Sequence, residues 1–312
     1  MKIGLDISGG DFAPKATIAG AILASKLLAE NQQIVLIGDQ DIAKQHIEQA
    51  GENPAFFEYI HAPDTIGMSE HPTKAIAQKP DSSISRGFQL LKEGAIDSFA
   101  SAGNTGAMLV GAVFSVKTIP GVIRPAIATN VPKVKSGFGI LLDVGANADC
   151  KPEMLPQFGL LGSLLAEHVY GIQKPTVGLL NIGEEAEKGN MLTLAAHPLL
   201  KENDRITFIG NIEGRELFDD KADVIVCDGF AGNVVLKMAE SFYMLTRQKG
   251  LDDPFFERFN YEQYGGSPIL GVNAPVIIGH GISSPEAIKN MVLLSRNMVE
   301  SNIVEKIKSA FN

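Results

Sequence analysis

A chain of 312 residues with 45% hydrophobic residues is long enough to bury a large core, and length alone suggests one large or two modest domains. Its formal charge of −9 excludes a general polyanion binder, because phosphate backbones are held by clustered Lys and Arg, so nucleic acid is not an expected partner. The two cysteines, Cys150 and Cys227, exclude a disulfide framework and a four-cysteine metal site, and they fit a reducing, cytoplasmic compartment. The opening Met1-Lys-Ile-Gly-Leu-Asp6 meets charge at once and reads as neither signal peptide nor membrane span, and no apolar run approaches the ~20 residues that cross a bilayer.

In chain order, residues 2–8 read as a strand, followed by the turn Gly9-Gly-Asp11 and a helix starting near Pro14. A second strand is predicted over 33–38, a helix over 39–50, and an edge strand over the more polar 56–62. The polar segment 66–83 is neither periodic nor low in complexity and reads as an active-site loop before a helix ending at Gly94. Residues 98–101 form a short strand feeding Ala102-Gly-Asn-Thr-Gly106, and an apolar helix runs on to about Val116. Residues 126–131 and 138–144 read as a hairpin, and Asp143-Val-Gly-Ala-Asn-Ala-Asp149 leads into a helix over 155–170. A strand over 176–181, its loop over 183–190, a helix over 192–200 and a strand over 206–209 follow, and Gly210-Asn-Ile-Glu-Gly214 reads as another loop. Val224–Val226 is an unbroken apolar run, hence a buried parallel strand, with Asp228-Gly-Phe-Ala-Gly-Asn233 as a tight turn before a helix. An aromatic segment over 253–261, strands over 268–272 and 276–278, a turn over 279–284 and a last helix to about Ala310 complete the pattern.

Strands alternating with helices imply an α/β fold, a mostly parallel sheet with helices on both faces. No linker or repeat divides it, so 1–312 reads as a single continuous domain, bilobal or not. Ligands of such sheets lie beyond the carboxyl ends of the strands, so the glycine and polar loops are expected to converge on one cleft. Gly103, Asn104, Thr105 and Gly106 in one loop and Asp228, Gly229 and Gly232 in another either make tight connections or offer backbone N–H groups to an anion. Asn147, Asn181, Asn190 and Asn211 recur at comparable positions, and an amide can orient a carbonyl or phosphate without adding charge. Lys188 either belongs to a solvated charged loop with Glu184, Glu185 and Glu187 or turns into the cleft to meet phosphate or a carbonyl oxyanion.

His280 is the one histidine in a cleft loop, and no histidine or cysteine spacing suggests a metal site or any other cofactor. Asp6 and Asp11 sit where strand-end aspartates more often organise backbone amides than bind magnesium. Cys227, beside Asp228, reads as packed, not reactive. Neither a dinucleotide fingerprint nor a Walker A sequence occurs. Lys117, Arg124, Lys133 and Lys135 are the nearest basic grouping for an acidic partner, and 108–114 is either an apolar groove or core.

Taken together, Gly9-Gly-Asp-Phe-Ala-Pro14, Ser101-Ala-Gly-Asn-Thr-Gly106, Leu142-Asp-Val-Gly-Ala-Asn147, Leu179-Leu-Asn-Ile-Gly-Glu-Glu185, Lys188-Gly-Asn190, Gly210-Asn211, Asp228-Gly-Phe-Ala-Gly-Asn233, Tyr264-Gly-Gly266 and His280-Gly281 resemble the PlsX family of phosphate acyltransferases. The resemblance spans nearly the whole chain. It implies a fold similar to isocitrate and isopropylmalate dehydrogenases and to phosphotransacetylases, and a homodimer that converts acyl-acyl carrier protein and inorganic phosphate into acyl phosphate. It further implies work alongside a membrane glycerol-3-phosphate acyltransferase at the inner face of the membrane, with Lys188 and Asn233 as the functional pair. Asp6-Ile-Ser-Gly-Gly10 departs from the family's usual Asp-Ala-Met-Gly-Gly, and the stretch between Lys237 and Tyr264 is shorter than the helical hairpin many members carry. Alternatives from the residues themselves are a phosphotransacetylase-like enzyme using acyl-CoA, a non-catalytic phosphate-binding scaffold and, least favoured, a dehydrogenase.

Overall fold

A computed structural model describes residues 1–312. The chain runs β1 (Lys2–Asp6), α1 (Lys15–Ser25), β2 (Gln33–Gly38), α2 (Gln40–Gln49), β3 (Glu58–His61), α3 (Pro72–Gln78), α4 (Ser83–Glu93), β4 (Ser98–Ser101) and α5 (Thr105–Gly111). Next come β5 (Ala126–Pro132), β6 (Phe138–Leu142), α6 (Met154–His168), β7 (Thr176–Asn181), α7 (Met191–Lys201), β8 (Thr207–Glu213), β9 (Val224–Val226) and α8 (Gly229–Gln248). It ends with α9 (Pro254–Glu257), β10 (Ser267–Leu270), β11 (Val276–Ile278), α10 (Pro285–Glu300) and α11 (Ile303–Phe311).

These elements make two compact units. One comprises Met1–Thr118 and Tyr261–Val304, the other Ile119–Asn260 and Glu305–Asn312. In the first unit the strand order is β3-β2-β1-β4-β11-β10, parallel except for β10, which pairs antiparallel with β11. Residues are buried consecutively along β1, β2 and β4, not alternately, as a sheet covered on both faces requires. Phe88 of α4 meets Phe99 of β4 edge-on at 5.1 Å, and Gly20 of α1 lets Ile288 of α10 approach so closely that a Cβ there would lie 2.4 Å from it. The polar β3 is the edge strand, as its composition suggests.

The second unit has the order β5-β6-β9-β7-β8, with β5 and β6 forming the predicted hairpin and the other pairs parallel. All three residues of β9 are buried, and α6 covers the sheet with Leu155, Phe158, Leu161 and Leu165 on one helical face. At the strand starts Lys133 Nζ lies 2.7 Å from Asp223 Oδ1, while Asp223 Oδ2 accepts the Thr176 N–H and hydroxyl, each at 2.9 Å. The aromatic segment after α8 folds back onto the unit: Phe259 packs at 5.0 Å from Phe218 and 6.0 Å from Phe242.

Several expectations are corrected. The polar segment 66–83 contains α3 and is not one open loop. Gly210 to Glu213 continues β8, with Gly210 at φ +100° where the register with β7 shifts. The 229–233 turn is the first turn of α8, with Asp228 as its N-cap, its side chain accepting from Ala231 N–H. The final helix breaks at Asn302, which has φ +53°. Lys133 is 8% exposed and committed to Asp223, so it is no part of a docking face, and Lys135 is drawn to Asp220. Met108 is fully buried whereas Phe114 is 72% exposed, so that stretch passes from core to surface.

Burial pushes the Asp223 carboxyl up, but its bonds to Lys133 and Thr176 more than offset this and hold it below the usual carboxylate range. The stabilisation is therefore present above the unfolded carboxylate pKa and lost as pH falls through the depressed folded value. Lys133→Ala should cost roughly 2–3 kcal/mol at neutral pH, less than a fully buried pair because Asp223 is partly exposed. The gap between mutant and wild type in denaturant melts should close on acidification below about pH 4. A gap that stays constant with pH would show that the pair contributes only packing.

Candidate active site

In the first unit a buried carboxylate organises the carboxyl end of the sheet. Asp6 ends β1 fully buried; its Oδ1 accepts the N–H groups of Ser8 at 2.8 Å and Gly9 at 3.1 Å, and its Oδ2 accepts the Ser101 hydroxyl at 2.6 Å. Ser101 in turn accepts the Gly103 N–H at 2.9 Å. The loops after β1 and β4 thus touch main chain to main chain, and a Cβ at Gly9 would lie 2.7 Å from the Gly103 nitrogen. Burial pushes the Asp6 pKa up, opposed by these hydrogen bonds. Asp6 is an organiser of amides, as its strand-end position suggests.

Asn104 caps α5 through its Oδ1, while its Nδ2 reaches the carbonyls of Gly67, Met68 and Glu70 at 3.0–3.1 Å. It thereby pins the segment before α3. Thr105 and Gly106 form the first turn of α5. The His280 ring stacks against Tyr261 at 4.9 Å, and its carbonyl accepts from the Ser283 N–H and hydroxyl.

The second unit repeats the device. Asp143, just past β6 and fully buried, accepts the N–H groups of Ile127 at 3.0 Å, Gly145 at 3.2 Å and Ala146 at 3.0 Å on Oδ1. Its Oδ2 accepts the main-chain and side-chain nitrogens of Asn147 at 2.6 and 2.9 Å. Burial again pushes the pKa up and the donors oppose it. The Asn147 carbonyl then accepts the Gly229 N–H at 2.7 Å, and the Val144 carbonyl accepts Asn233 Nδ2 at 3.1 Å. Gly229 and Gly232 permit this contact between loop and helix: a Cβ at Gly232 would fall on the Asp143 carbonyl oxygen.

The asparagines act mainly on the chain itself. Asn181 donates to the Lys188 carbonyl at 3.0 Å, Asn211 to the Glu185 carbonyl at 2.8 Å, and Asn147 to the Pro125 carbonyl at 2.8 Å. Asn190 caps α7, accepting the Thr193 N–H while Thr193 Oγ1 accepts from the Asn190 N–H. Together they hold the 182–190 loop from two strands and one helix end. Lys188 projects from it, exposed and outside every salt bridge, whereas neighbouring Glu184 is drawn 3.0 Å from Lys221. The Met191 and Leu192 N–H groups beside it precede the ladder of α7, at the electropositive end of an 11-residue helix. At α8 the first of the equivalent donors is already engaged, the Gly229 N–H by the Asn147 carbonyl. Lys188 and Asn233 follow β7 and β9, which are hydrogen-bonded neighbours in one parallel sheet, so both lie at the same sheet end.

Residue-type reasoning does not single out Asp143. The available signal is the likeness of Asp143-Val-Gly-Ala-Asn147 to Asp6-Ile-Ser-Gly-Gly10, an aspartate closing an apolar strand before small residues.

With this geometry in place, comparison with solved structures defines the class: the chain has the fold of the phosphotransacetylases. A phosphotransacetylase from Streptococcus pyogenes aligns with TM-score 0.69 and 16% identity over 96% of this chain and 94% of that one. A branched-chain phosphotransacylase from Enterococcus faecalis V583 aligns with TM-score 0.65 and 13% identity over 96% and 99%. The chain itself belongs to the phosphate acyltransferase family: the model described as "Fatty acid synthesis protein" matches residues 1–249. Proteins called "Phosphate acyltransferase" from Desulforamulus reducens and Dictyoglomus turgidum are 44% and 41% identical to it, over 99% and 100% of this chain and 97% and 98% of theirs. No helix is long and apolar enough to cross a membrane.

Burial, with Asp143 and Asp228 nearby, pushes the Cys150 thiol up to about 12, and burial with the same carboxylates raises that of Cys227 well above the usual range. At pH 8 the thiolate fraction of Cys150 should be about 10⁻⁴, so iodoacetamide should modify the native protein roughly a thousandfold more slowly than a free thiol. Rapid alkylation of Cys150 at that pH would refute the raised thiol pKa.

Proposed function

We propose that this chain transfers a fatty acyl group from acyl-acyl carrier protein to inorganic phosphate, releasing free carrier and acyl phosphate for phospholipid synthesis. The observation that carries the reading is the unpaired Lys188 ammonium, held on a braced loop beside the open N-terminus of α7, a place suited to a phosphate dianion. A phosphate oxygen attacks the thioester carbon, and the C–O bond forms as the carbonyl becomes a tetrahedral oxyanion. Its collapse breaks the C–S bond, and the carrier thiolate leaves and takes a proton from solvent. No covalent enzyme intermediate is needed, in keeping with two weakly acidic thiols, of which Cys227 is buried and Cys150 half-buried.

Asn233 has one amide hydrogen on the Val144 carbonyl, which leaves the other to stabilise the oxyanion. Lys188 holds phosphate and neutralises charge that develops as it attacks. In this reading the enzyme is a cytoplasmic homodimer that passes its reactive mixed anhydride to a membrane glycerol-3-phosphate acyltransferase.

With long-chain acyl carrier protein, thiol release should depend on inorganic phosphate, and acyl-CoA should be the poorer donor. Asn233→Ala should lose roughly 10²–10³ in turnover while melting like wild type. Lys188→Ala should lose turnover together with phosphate affinity. Near-normal turnover at saturating phosphate in either variant removes that role, and thiol release independent of phosphate removes the activity.

A further inference from the structure

We infer that Asp143 is a positioning residue for Asn233: its buried carboxylate shapes the loop whose Val144 carbonyl holds the Asn233 amide. This rests on the role proposed for Asn233 above. The structure supplies each link. Five donors from Ile127, Gly145, Ala146 and Asn147 converge on the two carboxylate oxygens, and every one of them is an N–H group. They fold residues 143–147 into a tight cup around the carboxylate.

The outer side of that cup meets the first turn of α8. The Val144 carbonyl accepts Asn233 Nδ2 at 3.1 Å, the Asn147 carbonyl accepts the Gly229 N–H at 2.7 Å, and Gly145, at φ +133°, leaves space in which a Cβ would come within 3.2 Å of Asn233 Nδ2. The Asn233 side chain is exposed, so this single main-chain acceptor is what selects its orientation. An oxyanion donor is effective only where it is pre-aimed, and a displacement of about 1 Å can cost 10²-fold in rate. Lys188 is braced separately by Asn181 and Asn211, so phosphate binding does not pass through Asp143.

Asp143→Asn keeps the shape but turns one carboxylate oxygen into an NH₂ that faces the Asn147 or the Ile127, Gly145 and Ala146 donors, so the cup must rearrange. The test is steady-state kinetics on wild type, Asp143→Asn, Asn233→Ala and the double variant, with kcat and the KM for phosphate measured separately. Asp143→Asn should lower kcat about 10–100-fold and leave the phosphate KM within about twofold, and the double variant should turn over no more slowly than Asn233→Ala. Losses that multiply in the double variant, or a large rise in phosphate KM in Asp143→Asn, overturn the positioning role alone. Wild-type turnover in Asn233→Ala overturns both this role and the reading beneath it. Should Asp143→Asn fail to fold, Gly145→Ala replaces it, since it crowds the Asn233 amide and strains the same turn while leaving the Asp143 side chain unchanged. The same loss of kcat, absent in the Asn233→Ala background, is expected, and a multiplicative loss overturns the inference.

Discussion

A carboxylate sealed at the end of a parallel strand is the interaction on which this molecule depends. Ionised oxygens in a low-dielectric setting demand donors, and the nearest donors are the N–H groups of the loop that follows. Asp6 and Asp143 each turn the chain out of a strand and gather small residues around themselves. Burial alone would favour the neutral acid, yet every hydrogen bond that reaches Asp143 is donated to it, the arrangement a carboxylate needs. The penalty for burying the charge and the order of the loop are two sides of one contact.

From these anchors the structure builds outward in amide steps. Asparagine serves well because it can accept an N–H at one atom and donate to a carbonyl at the other, as Asn104 does between α5 and the Gly67 segment. The result is a set of loops held by short uncharged links, against which an unpaired ammonium such as that of Lys188 stands out electrostatically.

How far the fold was legible depended on range. The bounds of β4, β7, β9 and β11 follow from consecutive apolar residues between polar ones, a local signal, and the β5–β6 hairpin follows from a short polar connection. Gly229 and Gly232 suggested a turn because glycine usually marks one; here they are helical and small because the Asp143 loop presses on them, which only tertiary structure reveals. The commitment of Lys133 is hidden from the sequence for the same reason. A lysine is normally solvated, and its partner Asp223 lies 90 residues away. In the candidate site Lys188 draws attention by its charge and Asn233 only through the family resemblance, while Asp143 draws on a donor 16 residues upstream that no local pattern announces.

The contact between Gly232 and the Asp143 carbonyl has one more implication, for motion. With no side chain between them, helix α8 and the end of β6 have no room to slide past each other, and the Asn147 to Gly229 and Val144 to Asn233 bonds tie them on either side. They behave as a single stiff body, a mortise and tenon. The lysine-bearing segment after β7 is tied by different means, the side-chain amides of Asn181 and Asn211 reaching its carbonyls, so one segment is held by main-chain packing on glycine and the other by amide struts.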